Sequence, residues 1–262
     1  MSTLIFDCDG VLSDTEREGH LPAFNQTFRE FGLPVQWSEA EYGERLRIGG
    51  GKERMASLLT DEFVAAAKLP REREAQLAEV ARWHKRKTEI YTQMVAAGRL
   101  PPRPGITRLI GEALEAGWTL GVASTSARPS VLAILECAAG KANAARFSAV
   151  LAGDVVARKK PAPDIYELAL GQLHAARADT LVIEDSRNGL LAAHGAGLKT
   201  LITVNGYTAA ENFDEAALVV SDLGEPDAPM RVLANRSAAA PGGCIRLADL
   251  AACLRASAAA KA

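Results

Sequence analysis

The chain has little with which to build a covalent or metal-thiolate scaffold. Its four cysteines, at positions 8, 137, 244 and 253, form no Cys-x-x-Cys pair and are too few and scattered for a disulfide framework. It also lacks any apolar run near the roughly 20 residues needed to cross a bilayer, and an apolar strand begins by residue 3, which leaves no room for a signal or transit segment ahead of it. Charge of one sign is missing too: the formal net charge is −2, so neither a broad nucleic-acid surface nor a polyacidic tail is indicated, and any attraction for anions has to be local. These absences leave a globular chain of 262 residues, 48% apolar and 24% charged, long enough for one large domain or two modest ones.

Apolar runs ending in small or polar residues recur at Leu4–Asp7, Trp118–Ser124, Ala149–Gly153, Thr180–Asp185 and Thr200–Val204. Between them, Ile106–Ala116, Val131–Cys137, Ile165–Leu173 and Leu190–Ala196 carry apolar residues near a 3.6 spacing, an alternation that predicts an α/β fold with a parallel sheet flanked by helices. The interval between the first two strands is far longer than one crossover helix needs. It reads as helical, for example over Phe24–Phe31 and Arg71–Thr92, and Pro101-Pro102-Arg103-Pro104-Gly105 marks a stiff return. The expected division is a core from 1–15 and 96–225, an all-helical insert over 16–95 suited to cover the strand ends, and a C-terminal extension over 226–262 that packs on the core or trails from it. Within the extension, Ser237–Gly243 reads as a flexible loop and Arg246–Ala256 as a short amphipathic helix.

In open α/β sheets, ligands bind beyond the carboxyl ends of the strands. The first strand ends in Asp7-Cys8-Asp9-Gly10, where alternation along an extended backbone sends both carboxylates the same way. The second ends in Ser124-Thr125-Ser126 and the fourth in Glu184-Asp185, while Lys159-Lys160-Pro161 follows the third. Each has a bland reading as a turn, a cap or a solvated charge. Together, three carboxylates, a hydroxyl and a lysine suit phosphoryl transfer: Asp7, Asp185 and a carbonyl near Asp9 offer the oxygen ligands that Mg²⁺ prefers, and Lys160 and Ser124 would hold phosphoryl oxygens.

Asp7-Cys8-Asp9-Gly10-Val11, Ser124, Lys160-Pro161 and Glu184-Asp185 resemble, in chain order, the four motifs of the haloacid dehalogenase superfamily. The resemblance implies a Rossmann-like core with a C1-type helical cap, covering residues 1 to about 225 and leaving the tail aside. It also implies Asp7 as nucleophile, Asp9 as acid and base, Ser124 and Lys160 as catalytic partners, and Mg²⁺ held among Asp7, Asp9, Glu184 and Asp185. Within that family, Gly19-His20, Phe24-Asn25-Gln26-Thr27-Phe28, Ile48–Met55, His84–Glu89 and Gly153-Asp154-Val155-Val156 are similar to CbbY-type xylulose-1,5-bisphosphate phosphatases, especially the plant and algal form.

The implied reaction removes the 1-phosphate of xylulose 1,5-bisphosphate and so clears an inhibitor of Rubisco. The link to Rubisco is functional and implies no direct contact. The implied setting is the chloroplast stroma, or alternatively a bacterial cytoplasm; a monomer without nucleic-acid or membrane partners is expected. A bisphosphate needs a second anion site, for which the glycine-rich turn at Gly51 with Lys52 and Arg54 offers amides and cations. Glu16, His20, His84, Lys87 and Thr125 complete the candidate substrate set, with Glu16, Glu18 or His20 expected to read a sugar hydroxyl. Lys85 is a further candidate, but Lys85-Arg86-Lys87 cannot all face one way, and His84 equally suits a packed role. Two alternatives share every core motif, a β-phosphoglucomutase-like mutase and a broad sugar-phosphate phosphatase; a non-catalytic binding protein on the same fold is the more distant one.

Overall fold

The structure, a computed structural model, describes residues 2–255. These divide into two compact units, one formed by the segments up to Asp14 and from Pro101 onward, the other by Thr15–Leu100.

Seven strands are found among the described residues of the first unit: β1 (Thr3–Phe6), β2 (Thr119–Ser124), β3 (Ala149–Ala152), β4 (Thr180–Glu184), β5 (Lys199–Thr203), β6 (Leu218–Val220) and β7 (Val232–Asn235). They form one sheet in the order β3-β2-β1-β4-β5-β6-β7, parallel except for the antiparallel β6–β7 pair. Phe6 is in register with both Val122 and Ile183, which brings the ends of β1, β2 and β4 to one level. The central strands are buried on both faces, so they read as continuous apolar runs. Ile5, Ala123, Leu151 and Val182 share one core with Ile165, Ala169, Ala192 and Ala193 of two helices, α9 (Asp164–Leu173) and α10 (Arg187–Gly195). By the two-residue period of a strand, Leu4, Phe6, Val122 and Ile183 point to the opposite face. The other core helices are α6 (Ile106–Glu115), α7 (Arg128–Ala139), α8 (Lys141–Ala144) and α11 (Leu247–Leu254), with α6 packing on both α7 and α11.

The chain leaves this unit after Asp14 and returns at Pro101, and the two crossings are pinned together on the sheet side. Ser13 Oγ donates to the Pro101 carbonyl at 2.7 Å and Arg103 N to the Leu12 carbonyl at 3.0 Å. The tail is more tightly built in than its composition suggests. After β7, Arg236 N donates to Ala217 O at 2.8 Å, Gly243 O accepts from Met230 N at 2.7 Å and Ile245 N donates to Leu223 O at 2.8 Å, and Ile245, Leu250 and Cys253 are buried. Ser237–Gly243, expected to be a flexible loop, is therefore a connection held at both ends. The expected helix is α11; Ala256, its expected last residue, lies outside the described residues, as do 257–262.

The second unit is helical. A π-helical turn at Glu16–His20 runs into α1 (Leu21–Glu30), followed by α2 (Glu39–Arg45), α3 (Gly51–Ala56), α4 (Asp61–Ala66) and the 24-residue α5 (Arg73–Ala96). Helix α5 buries Val80, Trp83, Lys87, Ile90, Tyr91 and Val95, a stripe at three- and four-residue steps. Its core is aromatic: Trp37 lies 5.0 Å from Phe24 and 4.8 Å from Phe28 between ring centroids. Asn25 fixes Trp37 by two hydrogen bonds to its backbone, donating from Nδ2 and accepting at Oδ1, each at 2.8 Å; such bonds contribute about 1 kcal/mol each. Ser38 and Glu41 then form a capping box that starts α2.

Candidate active site

Asp7 and Asp185 are each the first residue beyond a strand, so β1 and β4 end one residue short of the runs Leu4–Asp7 and Thr180–Asp185 read from the sequence. Asp7 N still donates to the Ile183 carbonyl at 2.9 Å, so its backbone stays fixed to the sheet. Lys160 Nζ meets Asp7 Oδ1 at 2.6 Å, Glu184 Oε1 at 2.5 Å and the Ala123 carbonyl at 2.9 Å. Glu184 is wholly buried. Its Oε1 also accepts from the Tyr166 hydroxyl at 2.5 Å and its Oε2 from Asp185 N at 3.1 Å. Asp185 Oδ2 accepts from Asn205 Nδ2 at 2.7 Å.

Two glycines make this crowding possible. A Cβ on Gly189, near the start of α10, would lie 2.0 Å from Glu184 Cδ, and one on Gly10 would lie 2.1 Å from Asp185 Oδ2. Gly10 also has φ +79°, which other residues adopt with strain.

The regular strand ends at Phe6 and the chain turns at Gly10, so Asp9 lies in the turn beyond the strand. The Asp9 carboxylate accepts a short hydrogen bond from the Ser126 hydroxyl. Ligand oxygens of Asp7, Glu184 and Asp185 lie within 4.8 Å of one another, whereas the Asp9 carboxylate, expected among the metal ligands, is not in that group. Ser124 is buried and its Oγ accepts from Ser126 N at 3.1 Å, which shapes the turn carrying Thr125.

Charge explains the state of these groups. Burial pushes the Asp7 carboxyl well above the usual carboxylate range; Lys160 pulls it back, while Glu184 and Asp9 add to the rise. Burial opposes the charge on Lys160, yet Asp7 and Glu184 outweigh it and hold the ammonium well above its ordinary pKa. Burial, followed by Glu184, likewise raises the Tyr166 phenol. Three carboxylates thus share one ammonium, and the excess negative charge on oxygen donors fits a hard divalent cation, which Asp7 and Asp185 would hold.

In the helical unit, the remaining candidates gather around the ring of Phe24. Lys87 Nζ lies 2.6 Å from His20 Nδ1 and over the rings of Phe24 at 4.6 Å and Tyr91 at 4.9 Å, while His20 stacks on Tyr91 at 4.2 Å. Glu16 accepts a short bond from the Tyr42 hydroxyl, to which Arg54 Nη1 also donates at 3.1 Å. A Cβ on Gly51 would sit 3.1 Å from His84 Nε2 and 3.4 Å from Phe24 Cζ, so α3 rests on His84 and Phe24 through a glycine. Lys52 is half-buried beside it; Glu18 and Lys85 are exposed, and Arg86 pairs with Glu30 at 2.6 Å on the surface.

The sequence reading missed Tyr166, Asn205 and Gly189. Tyr166 lies six residues beyond Lys160, on α9, and Gly189 four residues beyond Asp185, spacings that offered a signal only once Glu184 was known to be buried.

The haloacid dehalogenase-like hydrolase family matches residues 1–197. The chain belongs to this family. The haloacid dehalogenase-like chain is 43% identical over 225 residues to a CBBY-like protein of Arabidopsis thaliana, covering 86% of this chain and 70% of the relative. It is 41% identical over 255 residues to the plasmid-borne CbbY of Cupriavidus necator, covering 96% and 95%. Among solved structures, a mutant CbbY from Rhodobacter sphaeroides in complex with xylulose-(1,5)bisphosphate matches with a TM-score of 0.74 and 38% identity, over 85% of this chain and 95% of that one. Family and site together make this chain a phosphatase. No helix among its described residues is long and apolar enough to cross a membrane.

Proposed function

We propose that this phosphatase acts on a sugar bisphosphate, removing the 1-phosphate of xylulose 1,5-bisphosphate to give xylulose 5-phosphate and phosphate. The observation that carries the reading is a phosphoryl-transfer cluster at Asp7, Lys160 and Asp185 in a chain 38% identical to a CbbY whose structure holds that sugar.

In the first step a carboxylate oxygen of Asp7 forms a bond to phosphorus while the bond from phosphorus to the sugar oxygen breaks. Asp9 supplies the proton that the departing oxygen needs, and the Ser126 hydroxyl holds the Asp9 carboxylate in place. In the second step water attacks the aspartyl-phosphate, Asp9 takes its proton, and the bond between phosphorus and Asp7 breaks. Lys160, Ser124 and Thr125 neutralise or bind the phosphoryl oxygens, with Glu184 and Tyr166 fixing the Lys160 ammonium. Asp7 and Asp185 would hold Mg²⁺, which would supply positive charge against the repulsion between carboxylate and phosphate. The Glu16–Tyr42–Arg54 and His20–Lys87 groups, with Gly51, Lys52 and His84, select the rest of the sugar and its second phosphate.

In this role the enzyme returns xylulose 5-phosphate to carbon fixation and spares Rubisco an inhibitor, in a chloroplast stroma or a bacterial cytoplasm. The test is phosphate release from xylulose 1,5-bisphosphate, ribulose 1,5-bisphosphate, fructose 1,6-bisphosphate and glucose 1-phosphate, with and without Mg²⁺. The reading expects Mg²⁺-dependent release strongest with xylulose 1,5-bisphosphate. Conversion of glucose 1-phosphate to glucose 6-phosphate without net release would replace it by a mutase.

A further inference from the structure

Arg103 sits in the proline-rich return at Pro101–Gly105, where composition suggests only a stiff linker, yet its guanidinium is among the most heavily bonded groups in the sheet unit. Nη1 donates to the Gly10 carbonyl in a short bond and to the Thr203 carbonyl at 3.1 Å; Nη2 donates to the carbonyls of Val204 at 2.6 Å and Ser221 at 2.7 Å. One side chain thus ties the turn after Asp9 to the end of β5 and to the residue after β6. Burial works against its charge, and Asp185, Asp14 and Asp222 support it.

The residue that follows the two gripped carbonyls is Asn205, itself buried. Its Oδ1 accepts from Tyr207 N at 2.9 Å and Thr208 N at 3.2 Å, which closes a turn, and its Nδ2 is left directed at Asp185 Oδ2 at 2.7 Å. The same amide nitrogen lies 2.8 Å from where a Gly10 Cβ would be. Gly10, Asn205 and Asp185 are therefore packed against one another without a spare methyl's width, and Arg103 holds the Gly10 carbonyl and the Val204 carbonyl of the peptide that leads into Asn205.

We infer that Arg103 and Asn205 are positioning residues that set the Asp185 carboxylate for cation binding: Arg103 ties the peptide leading into Asn205 to the Gly10 turn, and Asn205 orients the carboxylate through its amide. The inference rests on the reading of Asp7 and Asp185 as a cation site and is independent of which sugar is cleaved. Outer-shell partners of this kind alter metal affinity by about 10- to 100-fold when removed, because they restrict a carboxylate that would otherwise sample other rotamers. Loss of substrate grip is not expected, since neither side chain belongs to the phosphate-binding set.

The experiment is calorimetric titration of the full chain with Mg²⁺ in the absence of substrate, for wild type, Asn205→Ala, Asn205→Ser and Arg103→Lys. Asn205→Ser keeps an oxygen that can close the turn but cannot reach Asp185, so it guards against a folding failure of Asn205→Ala. Arg103→Lys keeps the charge while losing the fork. Both Asn205 variants are expected to weaken Mg²⁺ by about 10- to 100-fold, and Arg103→Lys by less, with the KM for the sugar phosphate at saturating Mg²⁺ within about two-fold of wild type. A folded Asn205→Ser variant with wild-type Mg²⁺ affinity, or one whose KM rises as much as its Mg²⁺ affinity falls, overturns the inference. So does a wild-type chain that binds no Mg²⁺. Wild-type Mg²⁺ binding that the variants weaken, together with no phosphate release from any sugar phosphate, would leave this inference standing and remove the proposed function instead.

Discussion

Two buried lysines show how differently the two units handle charge. In the sheet unit, Lys160 meets carboxylates of Asp7 and Glu184 at 2.6 and 2.5 Å, under a cluster in which negative charge is in excess. In the helical unit, Lys87 lies against a ring nitrogen of His20 and over the faces of Phe24 and Tyr91. Ion pairs with short, directional bonds lock a group in one place, as chemistry at a reacting phosphorus requires. Aromatic faces attract a cation with weaker directionality, which lets the group adjust its position. In the proposed function the sheet unit reacts and the helical unit selects, a contrast that substitutions on either side can break.

The largest effect is expected at Asp7. Asp7→Asn removes the nucleophile while keeping size and much of the hydrogen bonding, and turnover should fall by at least about 10⁴-fold in a steady-state phosphate-release assay. Next is Gly189→Ala, in which a single methyl must displace the Glu184 carboxylate that holds Lys160. It should cost about 1–3 kcal/mol in a denaturant melt and lower kcat with little change in KM. Lys87→Met, which preserves the packing among the rings, should do the reverse, raising KM by about 10- to 100-fold with a smaller change in kcat. A Lys87→Met variant that loses kcat instead would erase the distinction between the two lysines.

The smallest expected effect is in stability against pH. Because burial raises the Asp7 pKa in the folded chain, the native state holds that proton more tightly than the unfolded state, whose Asp titrates at about 3.9. Stability of EDTA-treated protein should therefore fall as pH rises from that value through the raised native pKa, and Asp7→Asn should flatten the slope in thermal melts.

How far the sequence reveals this arrangement depends on whether a feature is local. Strands β1 to β5 are legible because burial on both faces writes continuous apolar runs. Strands β6 and β7 are not, since one has three residues and the other is an edge strand with Val232 and Leu233 exposed. Asp7, Lys160, Glu184 and Asp185 are legible because each lies at or near a strand end in the expected order. The bond from Ser126 to Asp9 and the grip of Arg103 on four backbone carbonyls depend on segments about 100 residues apart meeting in space, which no local pattern encodes.

The central claim is that Asp7 carries the phosphoryl group during turnover. Rapid quench of the full chain mixed with xylulose 1,5-bisphosphate and Mg²⁺, followed by peptide mass spectrometry, measures it directly. The account predicts one phosphoryl group on the peptide containing Asp7, rising and decaying within the time of turnover and absent from Asp7→Asn. Phosphate released at full rate with no phosphoryl group on that peptide, or with the group on another residue, would contradict it.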